Sequence, residues 1–452
     1  MNPEIFREYD IRGNVERDLT DDVVRNIGRA FSSYMRDQGK RVASVGRDCR
    51  LSSERYRDLL VEGMVESGLE VVDVGLVPTP LFYYSLFNLD VEGGIMVTGS
   101  HNPPTMNGFK VAVGKSTIYG DRIQDVRKII ESEKFVKGAG SCREYGEVVD
   151  DYYRYLRSNV TIGKTFKVVV DAGNGTGGAV AVPIMREFGQ NVTELFCDMD
   201  GRFPNHFPDP TIEKNLETMR RTVVEKKADV GIGYDGDADR IGIVDDKGNI
   251  IWGDYLMIIF ARHVLKEHRG ATIVSEVKCS GNLYDQIERH GGVPVMWKAG
   301  HSLIKQKMKE TGALLGGEMS GHIFFNDRFF GYDDAIYASL RLLEIMEADG
   351  RPVSEYLSDL PVKFSTPEIH VDCPDNVKFG VVRELTEYYR SRHHIIDIDG
   401  VRAEFSDGWG LVRCSNTQPV LVLRFEADTQ DALDRIRSTV MEDLERIMKR
   451  FG

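Results

Sequence analysis

The sequence predicts an α/β protein in which three topologically similar α/β domains are followed by a smaller C-terminal α+β domain. The chain has 452 residues, enough for about three or four domains at roughly 100–200 residues each. Apolar runs rich in β-branched residues alternate with helix-like stretches, a pattern typical of crossover units in an α/β sheet. This alternation occurs three times in the same order, and each time it leads into a polar loop.

The first predicted domain covers residues 1–150. Its apolar runs are Arg41–Val45, Leu69–Val74 and Gly94–Val97, and the third leads into Thr98–Pro103, with the sequence TGSHNP. Small residues around one serine give an exposed, sharply turned hydroxyl beside a histidine. The loop lacks the GxSxG pattern of a hydrolase elbow. The residues alone leave two interpretations open: a serine that attacks or carries a phosphoryl group, and an Asn-Pro turn with a capping serine.

The second predicted domain covers residues 151–250. Its apolar runs are Lys167–Asp171, Asn191–Phe196 and Val230–Tyr234, and the loop that follows is Asp235–Arg240, with the sequence DGDADR. Carboxylates at alternate positions can turn toward one hard divalent cation. The glycine and glutamate that an EF-hand needs at positions six and twelve are missing. The loop therefore favours Mg²⁺ in phosphoryl transfer, and an acidic surface turn is the alternative.

A glycine-rich segment in the second domain, Gly173–Gly178, follows a strand and precedes a helix. This placement is also found in dinucleotide-binding loops. No acidic residue ends the next apolar run cleanly, as such a site requires. The segment is predicted to be a tight structural turn rather than an NAD site.

The third predicted domain covers residues 251–365. Its apolar runs are Ala271–Glu276, Val293–Trp297 and Ala313–Gly316, and the loop that follows is Glu318–His322, with the sequence EMSGH. Carboxylate and hydroxyl side chains beside glycine suit vicinal sugar hydroxyls, and a structural loop is the alternative. Ligands of α/β sheets collect beyond the carboxyl ends of the strands. The three polar loops are therefore expected to point into one shared central cleft.

The fourth predicted domain covers residues 366–452. Helices are expected at Val377–Ser391 and Gln430–Arg450. Strands are expected at Glu368–Val371, Gly400–Phe405, Gly410–Val412 and Val420–Phe425. The segment Arg413–Pro419 combines one arginine with small polar side chains. An arginine fork, hydroxyls and backbone N–H groups can close on a phosphate, and an ordinary turn rich in Ser and Thr is the alternative.

Composition narrows the classes of partner. The chain has 71 Asp and Glu against 58 Lys and Arg, a net charge of −13, which argues against nucleic acid and anionic membranes as partners. Six single cysteines without a CxxC pair indicate reduced thiols, with neither structural zinc nor a disulfide framework. The N-terminus has no signal-peptide pattern, and no apolar stretch is long enough to span a bilayer. We expect a cytoplasmic protein, either a monomer or a small homo-oligomer.

Taken together, the loops resemble those of the α-D-phosphohexomutase superfamily, in its phosphomannomutase/phosphoglucomutase branch. The resemblance spans the whole chain, and the motifs follow the order of the family. Besides the four loops, it rests on Phe6–Gly13, Gly46–Asp48, Asn107–Lys110, Val277–Cys279, Lys298–Ser302 and Gly331–Asp334. The departures are small: Cys414 and Gln418 stand at positions that commonly vary.

The resemblance implies an enzyme that interconverts the 1- and 6-phosphates of mannose, glucose or both. The phosphoryl group would pass through a phosphoserine and a sugar 1,6-bisphosphate that turns over in the cleft. The implied cofactors are Mg²⁺ and, as activator, glucose or mannose 1,6-bisphosphate, and the implied partners are small sugar phosphates. The implied metal ligands are Ser100, Asp235, Asp237 and Asp239. The implied catalytic residues are Arg12, Ser100, His101, Lys110, Arg240 and His322. The implied substrate-binding residues are Tyr9, Lys278, His301, Glu318, Ser320, Arg413, Ser415, Asn416 and Thr417.

Three rival functions are considered. Phosphoglucosamine mutases typically resemble GEQSGH at the third loop, so Met319 favours hexoses without an amine. A Mg²⁺-dependent phosphatase of the aspartyl-phosphate kind would want Thr or Val in place of Asp239, and it has no need of Ser100. A sugar-phosphate sensor without catalytic activity is disfavoured because the serine and all three aspartates are present.

Overall fold

In the computed structural model, which describes residues 1–416 and 418–451, the chain forms four β-sheets with helices packed on them. Each of the first three sheets has a central strand with a parallel neighbour on either side. An antiparallel strand then pairs with one of these neighbours. This repeated strand order confirms the predicted recurrence of one α/β topology.

Domain I contains the longest of the repeated sheets. Its elements are β1 Ile11–Asn14, α1 Asp21–Asp37, β2 Val42–Arg47, α2 Ser53–Glu66, β3 Glu70–Leu76, α3 Thr79–Asn88, β4 Gly93–Val97, β5 Met106–Val113, β6 Ser116–Thr117, α4 Asp121–Ser132, β7 Ser141–Glu144 and α5 Val148–Asn159. Helices α1 and α2 approach closely at Gly28 and Gly63. A Cβ atom on Gly28 would lie 2.3 Å from the carbonyl oxygen of Leu60, so only glycine allows this helix pair to pack.

Domain II has a five-stranded sheet. Its elements are β8 Lys167–Asp171, α6 Gly177–Glu187, β9 Asn191–Leu195, α7 Glu217–Lys226, β10 Val230–Tyr234, β11 Ile241–Asp245 and β12 Ile250–Ile251. The central strand β8 carries Val168, Val169 and Val170, which are all buried. A parallel strand covered on both faces requires such an apolar run.

Domain III repeats the arrangement with four strands. Its elements are α8 Gly253–Glu267, β13 Thr272–Glu276, α9 Gly281–Arg289, β14 Val293–Trp297, α10 His301–Thr311, β15 Leu315–Gly317, β16 Ile323–Phe325 and α11 Ala335–Asp349. The side chain of Ser280 accepts a hydrogen bond at the start of α9, and Asp334 does the same for α11. Both are residue types that cap helix N-termini well.

Domain IV is an antiparallel sheet with two helices, which confirms the predicted α+β class. Its elements are β17 Phe364–Ser365, β18 Ile369–Asp372, α12 Asp375–Arg390, β19 His394–Ile396, β20 Val401–Phe405, β21 Gly408–Cys414, β22 Val420–Ala427 and α13 Gln430–Met448. The short strand β19 is absent from the sequence-based prediction. It forms the edge of the sheet beside β20.

The packing divides the molecule unequally. One large apolar core runs from Val74 in domain I through part of domain II to Tyr356 in domain III. A second core lies within domain I, between Ile5 and Ile130. Domain IV has a separate core, bounded by Cys373 and Ile447. All six cysteines are free thiols. Among the described residues, no helix has the length and apolar character that crossing a membrane requires.

Candidate active site

Three polar loops meet where the repeated topology places them. They follow β4, β10 and β15, which occupy the same position in their three sheets. The hydroxyl of Ser100 donates to the Oδ2 atom of Asp235 at 2.6 Å. The Nε2 atom of His322 lies 3.3 Å from the Oδ1 atom of Asp239. The cavity between the loops is lined by Asp10, Arg12, Thr98, Gly99, Ser100, His101, Asn102, Lys110, Arg240, His301 and His322.

The loop that carries Ser100 is tightly held. Ser100 has a φ of +48°, a left-handed conformation that is uncommon for residues other than glycine. Domain II approaches it closely, because a Cβ atom on Gly236 would lie 2.3 Å from the carbonyl oxygen of Ser100. Strained backbone of this kind persists only where its surroundings fix it.

The side chain that fixes this loop is Arg50, which the sequence prediction missed. Its buried guanidinium donates to the carbonyl oxygens of Ser100 at 2.7 Å, Asn102 at 2.6 Å and Pro103 at 2.7 Å. Arg50 follows the Gly46–Asp48 motif of the sequence analysis. An arginine that donates hydrogen bonds to backbone carbonyls has no sequence pattern by which it can be predicted.

The hydroxyl of Ser100 is almost buried and has two side-chain neighbours. Asp235 accepts its hydrogen bond, and the Nδ1 atom of His101 lies 3.1 Å from its oxygen. Burial, reinforced by Arg240 and Arg12, lowers the pKa of His101 well below its usual value. In this environment the neutral imidazole is favoured beside Ser100.

The three aspartates of the second loop form a compact acidic cluster. Asp235, Asp237 and Asp239 are fully buried, and each offers an oxygen within 4.8 Å of those of the other two. Burial and the two neighbouring carboxylates raise the pKa of Asp235 well above its usual value. Within the described part of the chain, Asp237 Oδ1 is buried without a hydrogen-bond partner. Oxygen donors with a free buried ligand atom fit a hard divalent cation, so this cluster can hold a metal ion.

Positive side chains surround the acidic cluster. The ammonium group of Lys110 lies 2.9 Å from Asp237 Oδ2 and also contacts Asp239. Arg12 is held by Asp10, with Nε 2.9 Å from Oδ1. The Nε atom of Arg240 lies 3.3 Å from the Nε2 atom of His322. These cations can offset the charge of a phosphoryl group at Ser100. Asp10 is a missed residue, because its place in the first motif gave it no specific role.

The third loop forms a connected polar group. The Nδ1 atom of His322 lies 2.8 Å from Glu318 Oε2 and 3.3 Å from the hydroxyl of Ser320. Burial alone would lower the pKa of His322, but Asp239 and Glu318 outweigh it and raise that pKa to about 9. The ring of His301 lies 5.4 Å from that of His322, between centroids.

The loop that follows β21 in domain IV contacts domain I. The Nε atom of Arg413 donates to Asp399 at 2.9 Å. The amide of Asn416 donates to the hydroxyl of Tyr9 at 2.6 Å. The backbone N–H of Gln418 donates to the hydroxyl of Ser415 at 3.1 Å. Thr417 lies outside the described residues.

Lys278 lies between the third loop and domain IV. Its ammonium group is 2.6 Å from Glu368 Oε1 and 3.3 Å from Glu276 Oε2. Burial opposes the charged lysine, yet the two carboxylates raise its pKa above the usual value. The sequence prediction missed both glutamates and Asp399, because they act on Lys278 and Arg413 rather than lying in a recognised motif.

Sequence comparisons identify all four domains. Profiles described as phosphoglucomutase/phosphomannomutase alpha/beta/alpha domains I, II and III match residues 3–137, 150–248 and 252–364. The profile of the phosphoglucomutase/phosphomannomutase C-terminal domain matches residues 368–443. Together these matches cover most of the chain in the order of its four sheets.

Similar proteins cover nearly the full length. A phosphomannomutase/phosphoglucomutase of Pseudomonas aeruginosa is 45% identical over 444 residues, 98% of this chain and 96% of that protein. A phosphoglucomutase of Neisseria meningitidis is 44% identical over 440 residues, 96% of this chain and 95% of that protein. A crystal structure of a phosphoglucomutase/phosphomannomutase family protein from Burkholderia thailandensis has a TM-score of 0.92 at 41% identity, covering 98% of both chains. The chain therefore belongs to the phosphoglucomutase/phosphomannomutase family of enzymes.

Proposed function

We propose that this enzyme interconverts hexose 1-phosphates and hexose 6-phosphates of mannose, glucose or both, with Ser100 as the phosphoryl carrier. The observation that supports this most is the 2.6 Å hydrogen bond from the Ser100 hydroxyl to Asp235. It places the hydroxyl of a residue with strained backbone, in a tightly held loop, against a cluster of oxygen ligands. A carrier serine needs this proximity, because phosphoserine brings about −1.5 to −2 charges at pH 7.

The reaction consists of two phosphoryl transfers. In the first, the bond from phosphorus to Ser100 Oγ breaks and a bond to the free sugar hydroxyl forms, while that hydroxyl gives up its proton and Ser100 Oγ takes one. The product is a sugar 1,6-bisphosphate. After it turns over, its other phosphoryl group is transferred to Ser100 Oγ, which gives up its proton, and the freed sugar oxygen takes a proton. Arg12, Lys110 and Arg240 offset negative charge, and His101 and His322 lie where protons can be exchanged.

Asp235, Asp237 and Asp239 would hold Mg²⁺ next to the phosphorylated Ser100. When bound, the cation supplies charge stabilisation to the phosphoryl oxygens. The three carboxylates provide the ligand oxygens, and their burial keeps competing water away. Activation by a sugar 1,6-bisphosphate follows, because this compound can phosphorylate a serine that has lost its phosphate.

The sugar and its second phosphate are assigned to domains III and IV. Glu318 can accept hydrogen bonds from the O3 and O4 hydroxyls in both orientations, because the turn exchanges these two positions. Ser320 and His301 complete the sugar contacts. The phosphate that does not react is assigned to Arg413, Ser415, Asn416 and Thr417. Tyr9 and Lys278, which line the cleft, are proposed as further contacts of this phosphate. Arg413 pairs with Asp399, which limits the positions that its guanidinium can take.

The divisions between the domains are placed after residues 150, 250 and 365. The strands of the four sheets lie at 11–144, 167–251, 272–325 and 364–427. All three divisions fall within or next to a secondary-structure element, since α5 begins at Val148, β12 ends at Ile251, and β17 of the domain IV sheet ends at Ser365. Boundaries are therefore proposed to within a few residues.

Two measurements test the function. Intact mass and phosphopeptide mapping, after incubation with glucose 1,6-bisphosphate, should find one phosphate on the peptide that contains Ser100. Phosphorus NMR should then show mannose or glucose 1-phosphate converting to the 6-phosphate with little inorganic phosphate. Release of phosphate without isomer formation would favour a phosphatase. Faster turnover of glucosamine phosphates than of either hexose would favour a phosphoglucosamine mutase.

A further inference from the structure

The segment that carries Lys278 is held through its backbone by charged side chains. Asp254, at the start of α8, accepts from the N–H of Ser280 at 3.0 Å. Glu426 of domain IV accepts from the N–H of Gly281 at 2.9 Å. Arginines of domain IV bind the carbonyl oxygens of the three residues before Ser280, as described below. Five consecutive residues of domain III, 277–281, are thus held by four buried side chains, and three of these belong to domain IV.

Arg424 makes the central contacts. Its Nη1 atom lies 2.5 Å from the carbonyl oxygen of Lys278 and 3.1 Å from Asp254 Oδ2. It also contacts the sulfur of Met319, in the third polar loop. One buried guanidinium thus links β22 of domain IV to both the Lys278 segment and the third polar loop.

Arg402 and Glu426 hold the two sides of the same segment. The Nη1 atom of Arg402 donates to the carbonyl oxygens of Val277 and Cys279, both at 3.0 Å. Its guanidinium lies 3.8 Å from the ring centroid of Trp409. The indole N–H of Trp409 donates to Glu426 at 3.1 Å. These contacts leave the Lys278 segment little freedom to move independently of domain IV.

The register of the sheet connects these residues to the loop that follows β21. Leu411 of β21 pairs with Arg402 on one side and with Arg424 on the other. Arg413 lies two residues beyond Leu411 on the same strand and pairs with Val422. Residues paired across antiparallel strands, or two apart along a strand, share one face of the sheet. Arg402, Arg413 and Arg424 therefore project from the same face.

We propose that Arg424 and Arg402 are positioning residues for substrate phosphate. They hold the Lys278 segment in register with Arg413, so that the two phosphate cations stay aligned although they belong to different domains. The Lys278 segment then moves with domain IV as one unit. This inference rests on the proposed function, in which Lys278 and Arg413 bind the same phosphate.

The test compares Arg424→Lys and Arg402→Lys with Arg341→Lys. Arg341 is an equally buried arginine of α11, with both terminal nitrogens 2.9 Å from Asp327, and it contacts neither Lys278 nor domain IV in any hydrogen bond among the described residues. Lysine keeps the charge but loses the planar guanidinium, whose Nη1 atom makes the contacts described above in both domain IV arginines. Affinity for inorganic phosphate and for glucose 1-phosphate is measured by calorimetry, with KM, kcat and the thermal midpoint alongside.

We expect about tenfold weaker phosphate binding and a raised KM for Arg424→Lys, and a smaller change of the same kind for Arg402→Lys. For Arg341→Lys, the thermal midpoint should fall while affinity and KM stay unchanged. Unchanged affinity in both domain IV variants would overturn the inference, as would an equal loss in Arg341→Lys. If Arg424→Lys does not fold, the phosphate affinity of Arg402→Lys tests the inference. This variant keeps the buried pair of Arg424 with Asp254. Phosphate affinity can be measured without turnover. A wild-type enzyme that binds phosphate but lacks mutase activity would therefore contradict the proposed function and leave the role of Arg424 and Arg402 testable.

Discussion

Domains I to III and domain IV are joined in different ways. One large apolar core, from Val74 to Tyr356, joins the first three, and domain I has a second core of its own between Ile5 and Ile130. Domain IV has a core of its own. It is fixed to domain III by a small apolar cluster of Val277, Trp409 and Leu411 and by buried polar contacts such as the pair of Arg424 with Asp254. Its contact with domain I includes the hydrogen bond from Asn416 to Tyr9. The acidic cluster and Ser100 thus belong to domains that share a core, whereas the loop that follows β21 belongs to a domain with its own core.

The difference in packing corresponds to a difference in task. Apolar burial is non-directional and stabilises one close-packed arrangement, at roughly 25 cal/mol per Å². Buried ion pairs offset the cost of desolvation only in good geometry, so their net contribution to stability is small. A polar side chain between domains can therefore leave its protein partner and bind substrate instead at little cost. We therefore expect changes at Ser100 and the acidic cluster to affect kcat, and changes in the domain IV loop to affect KM.

The largest effect is expected for Ser100→Ala. Without the carrier oxygen, neither transfer can take place, so kcat should fall by at least about 1,000-fold, or roughly 4 kcal/mol in the barrier. The fold should remain, because the hydroxyl is a small part of a loop held by Arg50. Isomer formation by phosphorus NMR measures the loss. Ser116→Ala, at an exposed position of the same domain, is the control, and a Ser100→Ala rate within about tenfold of wild type would rule out a phosphoserine carrier.

The next largest effect is expected for Asp237→Asn. It replaces one carboxylate of the acidic cluster with a neutral amide, so cation affinity should weaken and kcat should drop by about 100-fold, or roughly 3 kcal/mol. Calorimetry with Mg²⁺ measures the affinity. Asp245→Asn, at a buried aspartate of the same domain that caps a turn, should leave it unchanged. Exhaustive chelation should stop the wild-type enzyme, and full activity after chelation would contradict the role given to the cation.

A smaller effect of a different kind is expected for Arg413→Ala, in domain IV. The same phosphate is bound before and during transfer, so losing this charge-assisted contact should raise KM about tenfold or more, with less effect on kcat. The bisphosphate should also be held less firmly while it turns over, and some should escape into solution. Added glucose 1,6-bisphosphate should then restore part of the activity. An unchanged KM without escaping bisphosphate would mean that this loop does not bind the distal phosphate.

The polar loops were predictable from sequence because each one is short and follows a strand. The tight spacing of Asp235, Asp237 and Asp239 predicted a cluster within one turn, and the cluster exists in the structure. The recurrence of strands around the loops predicted the shared topology. Local patterns of this kind need no knowledge of long-range pairing.

The residues that hold the loops in place were not predictable in the same way. Arg50 binds carbonyl oxygens about 50 residues away along the chain, and Arg424 binds one 146 residues away. An arginine that serves backbone carbonyls has no partner motif, since every residue carries a carbonyl group. The contacts at the interface between domains III and IV were missed for this reason, although the elements on either side of the interface were predicted.

The smallest effect on catalysis is expected for Glu276→Gln, at the interface between domains III and IV. Both kcat and KM should change by less than about threefold. Burial raises the pKa of Glu276 to about 7, against the lowering effect of Lys278 and with further raising by Glu318 and Glu368. A carboxyl whose pKa is higher in the folded state binds its proton more tightly there. Its contribution to stability is therefore full below the ordinary value of 4.5 and is lost as pH rises toward 7.

Thermal midpoints and denaturant unfolding of wild type and Glu276→Gln between pH 5 and pH 8 measure this contribution. The stability of the wild type relative to the variant should fall as pH rises, by about 1–3 kcal/mol in all, and level off above pH 7. Glu368→Gln is the matched control. Burial opposes ionisation of Glu368, but Lys278 outweighs it and lowers the pKa below 4.5, so its contribution should be constant over this range and lost only in more acidic solution. A flat difference for Glu276→Gln would mean that Glu276 is already ionised at pH 5, and that the interface between domains III and IV carries a permanent ion pair with Lys278.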